Sequence, residues 1–325
     1  MKMTISQVSF PLREPFVITG YVFEHTKAVH VRLERDGFVG RGEGVGCYYL
    51  GETVETMAAQ LEAVVPVVEA GATRQDIQAL LPPGGARCAL DCAFWDLEAK
   101  SAGMSIWDLL NISPRILNTV VTIGIDTPEV MGAAASRLRN IPDLKLKLNA
   151  ELPVERVEAV RAAHPAASIV VDVNQGWSLE ELKVYAPEMT RLNVAMIEQP
   201  LRRGSDNDLL GFDSPVPLGA DESCLSSEEF DYAVARYDVI NIKIDKTGGL
   251  TDALKIVELA KRGDCDLMVG NMTGSSLGMA PSYVIGQFCR FVDVDGPLLL
   301  AEDVSNPMIY PGDGTAIMPG PALWG

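Results

Sequence analysis

The sequence predicts an α/β protein in which a small α+β domain precedes a barrel of parallel strands. Three observations point there. From about residue 117, short β-rich runs recur eight times: TVVTIGI, LKLKLN, SIVVDV, VAMIEQ, VPLGAD, VINIKI, DLMVGN and RFVDVD. Most of the stretches between them read as helices, the pattern of strands paired in parallel through crossovers. No GxGxxG follows a strand, so the alternative of an open doubly wound sheet lacks a dinucleotide fingerprint, and a closed (β/α) barrel is the simplest reading.

In chain order, residues 28–34 alternate as AVHVRLE, and Asp36-Gly37 supplies a hairpin turn before FVGRGEGV. The preceding ITGYVFEHTK (18–27) reads as a loop after the first strand. Helical patterns follow at about 53–69 and 86–102, the second after the breaker Pro82-Pro83-Gly84-Gly85. In the barrel, PEVMGAAASRLRN and LTDALKIVELAKRG are helical, whereas the stretch after VAMIEQ is weaker. The tail from about 303 is rich in Pro and Gly, with a hairpin expected around Pro311-Gly312-Asp313-Gly314, and should pack back on the first domain.

At 325 residues and 47% hydrophobic, the chain is large enough for a substantial core. Its 44 acidic residues against 27 basic ones leave a formal charge of −17. That field disfavours nucleic acid and anionic membranes and favours small molecules and metal cations as partners. Cys47, Cys88, Cys92, Cys224, Cys265 and Cys289 show no CxxC spacing and read as reduced thiols of a cytoplasmic protein. There is no signal-type apolar segment and no run near the ~20 apolar residues of a membrane span. His25, His30 and His164 form no ligand pair, which argues against a histidine-rich zinc site or a histidine-based triad.

LKLKLN carries the functional question. Leu144, Leu146 and Leu148 share one face of a strand, and Lys145 and Lys147 share the other, roughly 6–7 Å apart. Either the lysines face water or they point into a site. The steps from Lys147 to Asp172, Glu198, Asp221 and Lys243 are 25, 26, 23 and 22 residues, about one βα unit each. One charged group thus recurs near the C-terminal end of each strand, where barrel active sites are assembled. Surface charges have no reason to keep that phase, so the lysines are read as pointing inward.

Asp172, Glu198 and Asp221, converging without histidine or cysteine, would repel one another unless a cation lay between them. Hard oxygen ligands suit Mg²⁺, with Mn²⁺ as a substitute. The alternative, ion pairs to Lys147 and Lys243, would leave one buried carboxylate unpaired. Lys147 and Lys243 flank the series and should approach a bound ligand from opposite sides. A lysine base must be neutral, and burial near a metal beside Lys145 should push its pKa down. Lys145 is also placed to meet an anionic group of the substrate.

The motifs LKLKLN, DVNQGW, MIEQP, GADES and NIKIDKTGGL, with the LDCAFWDLEAK helix, resemble those of the enolase superfamily, in its muconate-lactonizing-enzyme-like subgroup. The likeness runs through nearly the whole chain. It implies a (β/α)7β modified TIM barrel at 116–302 and an N-terminal α+β capping domain at 1–115 completed by the tail (about 303–325). It also implies Asp172, Glu198 and Asp221 as Mg²⁺ ligands and Lys147 and Lys243 as the acid/base pair. The lysine-plus-magnesium chemistry is a general property of that superfamily.

Since one fold hosts several reactions, the site must choose among them. Asp293 and Asp295 in RFVDVDGP share a strand face, expected over the barrel mouth, and suit an ammonium group; the pattern resembles the signature of dipeptide epimerases. The expected reaction is 1,1-proton transfer on the C-terminal residue of an L-Ala-Xaa-type dipeptide through an enediolate. Its rivals are an epimerase for Ala-Glu dipeptides of murein, a cycloisomerase, an N-acylamino acid racemase, an o-succinylbenzoate synthase, an acid-sugar dehydratase, a Schiff-base aldolase and a non-catalytic binding protein.

In Ala-Glu members of the family an arginine of the cap loop meets the acidic side chain. Here no arginine lies between Arg13 and Arg32, and Lys27 is placed beside the AVHVRLE strand, out of reach. Tyr21, Phe23 and Glu24 are the candidate contacts, with Tyr48-Tyr49 nearby, and the expected side chain is apolar or, through Glu24, cationic.

Overall fold

The computed structural model describes residues 1–325. Strands β1 (Lys2–Ile18), β2 (Tyr21–Arg35) and β3 (Phe38–Val45) form an antiparallel sheet. Helices α1 (Val54–Glu69), α2 (Arg74–Leu80) and α3 (Gly85–Ala102) pack against it, and α4 (Ile106–Leu110) follows. A short strand β4 (Leu117–Asn118) precedes the barrel.

ITGYVFEHTK is not a loop. Phe16, Val17 and Ile18 pair with Phe23, Val22 and Tyr21, so β1 and β2 form one long hairpin turning at Thr19-Gly20. The residues on both sides of the turn are β-branched or aromatic, and Gly20 at φ +79° supplies the left-handed conformation a two-residue turn needs.

The barrel alternates β5 (Val121–Ile123), α5 (Pro128–Arg137), β6 (Asp143–Lys147), α6 (Pro153–Ala163), β7 (Ser168–Asp172), α7 (Leu179–Arg191) and β8 (Val194–Glu198). It continues with β9 (Leu218–Ala220), α8 (Phe230–Val234), β10 (Val239–Ile242), α9 (Ile244–Thr247) and α10 (Leu250–Ala260). The last unit is β11 (Asp266–Val269), α11 (Ser276–Gly286), β12 (Phe291–Val292) and a short α12 (Gly296–Leu299). The crossover after β8 has only a 3₁₀ turn at Asp206–Leu209. All eight strands pair in sequence order and in parallel. The seam closes through Val120 N–H to Val292 O at 2.9 Å and Val294 N–H to Thr119 Oγ1 at 3.0 Å. The result is a (β/α)7β barrel.

Inside and outside follow strand period two. Leu144, Leu146 and Leu148 are fully buried in the same core as Met131 of α5 and Val157 and Val160 of α6, so the aliphatic face lies under the helices. Val170, Met196 and Phe291 fill the barrel interior with Val239 and Met268. Val170, Met196 and Phe291 each stand two residues before Asp172, Glu198 and Asp293, so those carboxylates share the inward face one layer higher. The tail strand β13 (Thr315–Ala316) pairs with β4, not with a partner across the 311–314 turn, which is spanned by one backbone bond from Ile317 to Ile309. The tail then reaches α3, where Trp324 Nε1 donates to Cys92 O and Gly325 N to Asp96 Oδ1. All six cysteines are free, and no helix is long and apolar enough to cross a membrane.

Candidate active site

Lys147 ends β6 and Lys243 follows β10. In an eight-stranded barrel, strands four places apart stand across the axis from each other. Both lysines line one cavity of about 350 Å³ between the barrel mouth and the hairpin. Phe16, Ile18, Phe23, Val45, Tyr48 and Met272 supply its apolar wall.

The carboxylates lie beneath this cavity, fully buried, and each is drawn to an ammonium. Lys147 Nζ is 2.5 Å from Asp172 Oδ2, and Lys243 Nζ is 2.6 Å from Asp221 Oδ2. Lys145 Nζ bridges Asp172 at 3.1 Å and Glu198 Oε2 at 2.8 Å, the latter without hydrogen-bond alignment. Lys246, on α9, adds a 2.7 Å pair to Asp221 Oδ1. The expectation that ion pairing would leave one carboxylate alone is therefore corrected, because Lys145 reaches Glu198. Since every carboxylate leans toward a lysine, no three of them converge at metal-holding distance.

Electrostatics follow from that pairing. Burial pushes Asp172 up, but Lys147 and Lys145 outweigh it and hold the carboxyl at about 2. Asp221 is driven well below the usual carboxylate range against burial by Lys243 and Lys246. Burial would lower Lys145 and Lys243, yet Glu198, Asp293 and Asp172 around the first and Asp221 beside the second hold both above the ordinary lysine value. For Lys243 the direction is opposite to the downward shift expected of a lysine base. The cause is that each ammonium group lies against a buried carboxylate.

Asp293 and Asp295 lie just past the last strand, tied into hydrogen bonds rather than free at the mouth. β12 ends at Val292, and both aspartates are buried. Asp293 accepts from Lys145 Nζ at 3.0 Å and Asn271 Nδ2 at 2.8 Å, and Asp295 accepts from Thr122 N at 2.8 Å. Burial, with Asp293 adding, raises Asp295 to about 7.

The cap residues need a second correction. Phe23, His25, Thr26 and Lys27 of β2 all line the cavity, whereas Glu24 does not. Lys27 is thus within the site. Tyr21 lies outside the lining but packs on Tyr48 with ring centroids 4.5 Å apart, and Phe23 packs on Tyr48 at 5.2 Å, closing the roof.

Several site residues escaped sequence reasoning. Asn241, two before Lys243 on the same strand face, donates to Glu198 Oε1 at 2.7 Å, and strand period could have found it. Gln199 sits at φ +40°, and its Oε1 accepts from the backbone N–H groups of Asp221 and Ser223, fixing the end of the neighbouring strand. Lys246 lies beyond the strand in a helical turn, where no periodic signal exists.

Family models match the chain twice: "Mandelate racemase / muconate lactonizing enzyme, N-terminal domain" over residues 1–111, and "Enolase C-terminal domain-like" over 130–318. The L-Ala-D/L-Glu epimerase of Escherichia coli (strain K12) is 39% identical, with 94% of this chain and 96% of that protein covered. An N-acetyl-D-glutamate racemase of a Pseudoalteromonas species is 37% identical over 89% of this chain and 92% of its own. Among solved structures, an enolase family member from Agrobacterium tumefaciens with homology to dipeptide epimerases, holding sodium and L-Ala-L-Glu, superposes with a TM-score of 0.96 at 40% identity, covering 99% of each chain.

Proposed function

The chain belongs to the enolase superfamily, and from that premise we propose that it is a Mg²⁺-dependent dipeptide epimerase, an isomerase that inverts the C-terminal residue of an L-Ala-Xaa-type dipeptide. The observation carrying this reading is the pair of lysines facing each other across one cavity, above three buried carboxylates. Two bases of one type suit a reversible inversion, since each must act as base in one direction and acid in the other. One lysine removes the α-proton, leaving an enediolate, and the other delivers a proton to the opposite face.

Asp172, Glu198 and Asp221 fit Mg²⁺ by their chemistry. They are hard oxygen donors on consecutive strands, and Lys145 already bridges two of them as a shared positive charge. Mn²⁺ is the expected substitute. When bound, the ion would stabilise the second negative charge on the substrate carboxylate. Lys145 is the partner for that carboxylate once released from Glu198, and Asp293 and Asp295 take the N-terminal ammonium. The side-chain compartment, with Phe16, Ile18 and Phe23 on its wall and Lys27 on the hairpin, suits a side chain with an apolar stem, neutral or ending in a carboxylate. Glu24 lies outside the lining, and a cationic end would instead meet Glu52 and Glu55, which line the same cavity.

One observation favours a second reading, N-acylamino acid racemisation. Asp293 is already engaged by Lys145 and Asn271, and Asp295 is pushed toward its neutral form, which does not call for a substrate ammonium. Screening L-Ala-Xaa dipeptides and N-acetylamino acids for α-deuterium incorporation in D₂O with Mg²⁺ separates the two. Dipeptides should exchange best. Exchange confined to the N-acetyl compounds would replace the first reading with the second, and exchange in neither would remove both.

A further inference from the structure

Lys243 leads at once into α9 and the Gly248-Gly249 turn, and a helix of the cap grips this turn. Arg87 and Asp91 stand one turn apart on α3, both buried. Arg87 Nη2 donates to Thr247 O at 2.8 Å and Nε to Gly248 O at 3.3 Å. Asp91 Oδ2 accepts Thr251 N–H at 3.0 Å, and Oδ1 accepts the Thr251 hydroxyl at 2.6 Å. The glycines have φ of +70° and +114°. A Cβ on Gly248 would lie 2.3 Å from Arg87 Nε, and one on Gly249 2.4 Å from Asp91 Oδ2, so the backbone is moulded against these two side chains. A second part of the cap joins in, where Val45 N–H donates to Asp245 Oδ1 at 2.8 Å.

Lys147 has a different support. The next residue, Leu148, donates its N–H to Asp172 O, and its carbonyl accepts from the Thr19 hydroxyl of the hairpin at 3.0 Å. The side-chain hydrogen bonds of Lys147 go to Asp172 and Asn174, and none goes to α3.

We infer that Arg87, with Asp91, is a positioning residue for the turn that carries Lys243 and Lys246 and not for Lys147, so that the two opposed bases are aimed by separate parts of the cap. A four-residue helix cannot hold its own axis. Its last carbonyls are left without intrahelical donors, and the buried guanidinium satisfies them while clamping the turn to α3. Loss of the clamp frees the Lys243 turn and leaves the Lys147 strand in place.

The inference rests on the two-lysine reading above, and the test distinguishes the two. Mg²⁺-loaded enzyme in D₂O is given L-Ala-L-Glu or L-Ala-L-Leu, whichever the wild type turns over, and separately its D-epimer. α-Deuterium incorporation is followed in wild type, Lys147→Ala, Lys243→Ala, Arg87→Met and Arg87→Lys. The Ala variants identify the isomer served by each lysine. Arg87→Met should lose about tenfold to a hundredfold on the isomer that Lys243→Ala cannot exchange, as a misplacement near 1 Å would cause, and stay within about twofold on the other. Arg87→Lys should recover part of the loss. Amide hydrogen exchange should quicken over 244–251 and not over 143–148. Should Arg87→Met fail to fold, Asp91→Asn, which keeps an acceptor for Thr251 N–H, must show the same bias at smaller size. Equal loss on both isomers, or none, overturns the inference. If Lys243→Ala itself loses both isomers equally, the two-lysine reading falls and takes the inference with it.

Discussion

The floor of the cavity is made by barrel strands and its roof by the cap hairpin, and the two differ in burial and pairing. On the floor, Lys145, Asp172, Glu198 and Asp221 are all but inaccessible, and every charge has an opposite within about 3 Å. On the roof, His25 and Lys27 are exposed, and Tyr21, Phe23 and Tyr48 hold one another by ring contacts. A buried charge cannot be removed without stranding its partner, which makes the floor intolerant of change. An exposed strand face can change residues at little cost to stability. On the proposed reading, proton transfer therefore belongs to the floor, and discrimination between side chains to the roof.

The largest break should come from the lysines. Lys147→Ala and Lys243→Ala should each cut epimerisation by about a hundredfold to ten-thousandfold in both directions, while leaving one isomer able to exchange its α-proton. Circular dichroism should show the fold intact. Turnover retained in either variant would remove it from the acid/base pair. Chelation should abolish activity almost as completely, and restoration by Mg²⁺ would tie the loss to the three carboxylates.

Asp293→Asn tests the boundary between floor and rim. It should raise KM for a dipeptide about tenfold and change an N-acetyl analogue much less, because one charged contact is worth about 1–2 kcal/mol. Equal effects on both would mean that Asp293 acts only by holding Lys145. On the roof, Lys27→Ala should lower kcat/KM for L-Ala-L-Glu about threefold and leave L-Ala-L-Leu within about twofold, the scale of an exposed ion pair. A larger loss on the leucine substrate would assign Lys27 a packing role.

The smallest effect concerns stability. Burial, reinforced by Glu43, raises Asp245 from 3.8 to about 7. An acid whose folded pKa is raised binds its proton more tightly when folded. That contribution is fully present below about pH 4 and is lost as pH rises to about 7. Asp245→Asn should therefore flatten the fall in Tm between pH 5 and pH 8 by a few degrees. An unchanged slope would mean that Asp245 is ionised throughout.

By itself, the sequence determined the barrel and its charged layer. Strand period two puts Lys145 and Lys147 opposite the leucines, and a repeat of one βα unit brings the charges from Lys147 to Lys243 to the same end of successive strands. Both are local regularities, readable without coordinates. Tertiary structure decided the rest, where partners are distant in sequence. Phe16 meets Phe23 only because the chain turns at Thr19-Gly20, and the hairpin so formed brings Lys27 and not Glu24 into the cavity lining. Lys145 pairs with Glu198 and Asp293 across 53 and 148 residues, which no periodicity encodes. RFVDVD reads as a strand, yet its ladder with β11 ends where Asp293 N–H donates to Val269 O, and the two aspartate side chains turn into buried hydrogen bonds. The clamp of Arg87 on Gly248 likewise spans 161 residues. Its pieces, a buried arginine and two glycines, acquire meaning only when the cap docks on the barrel.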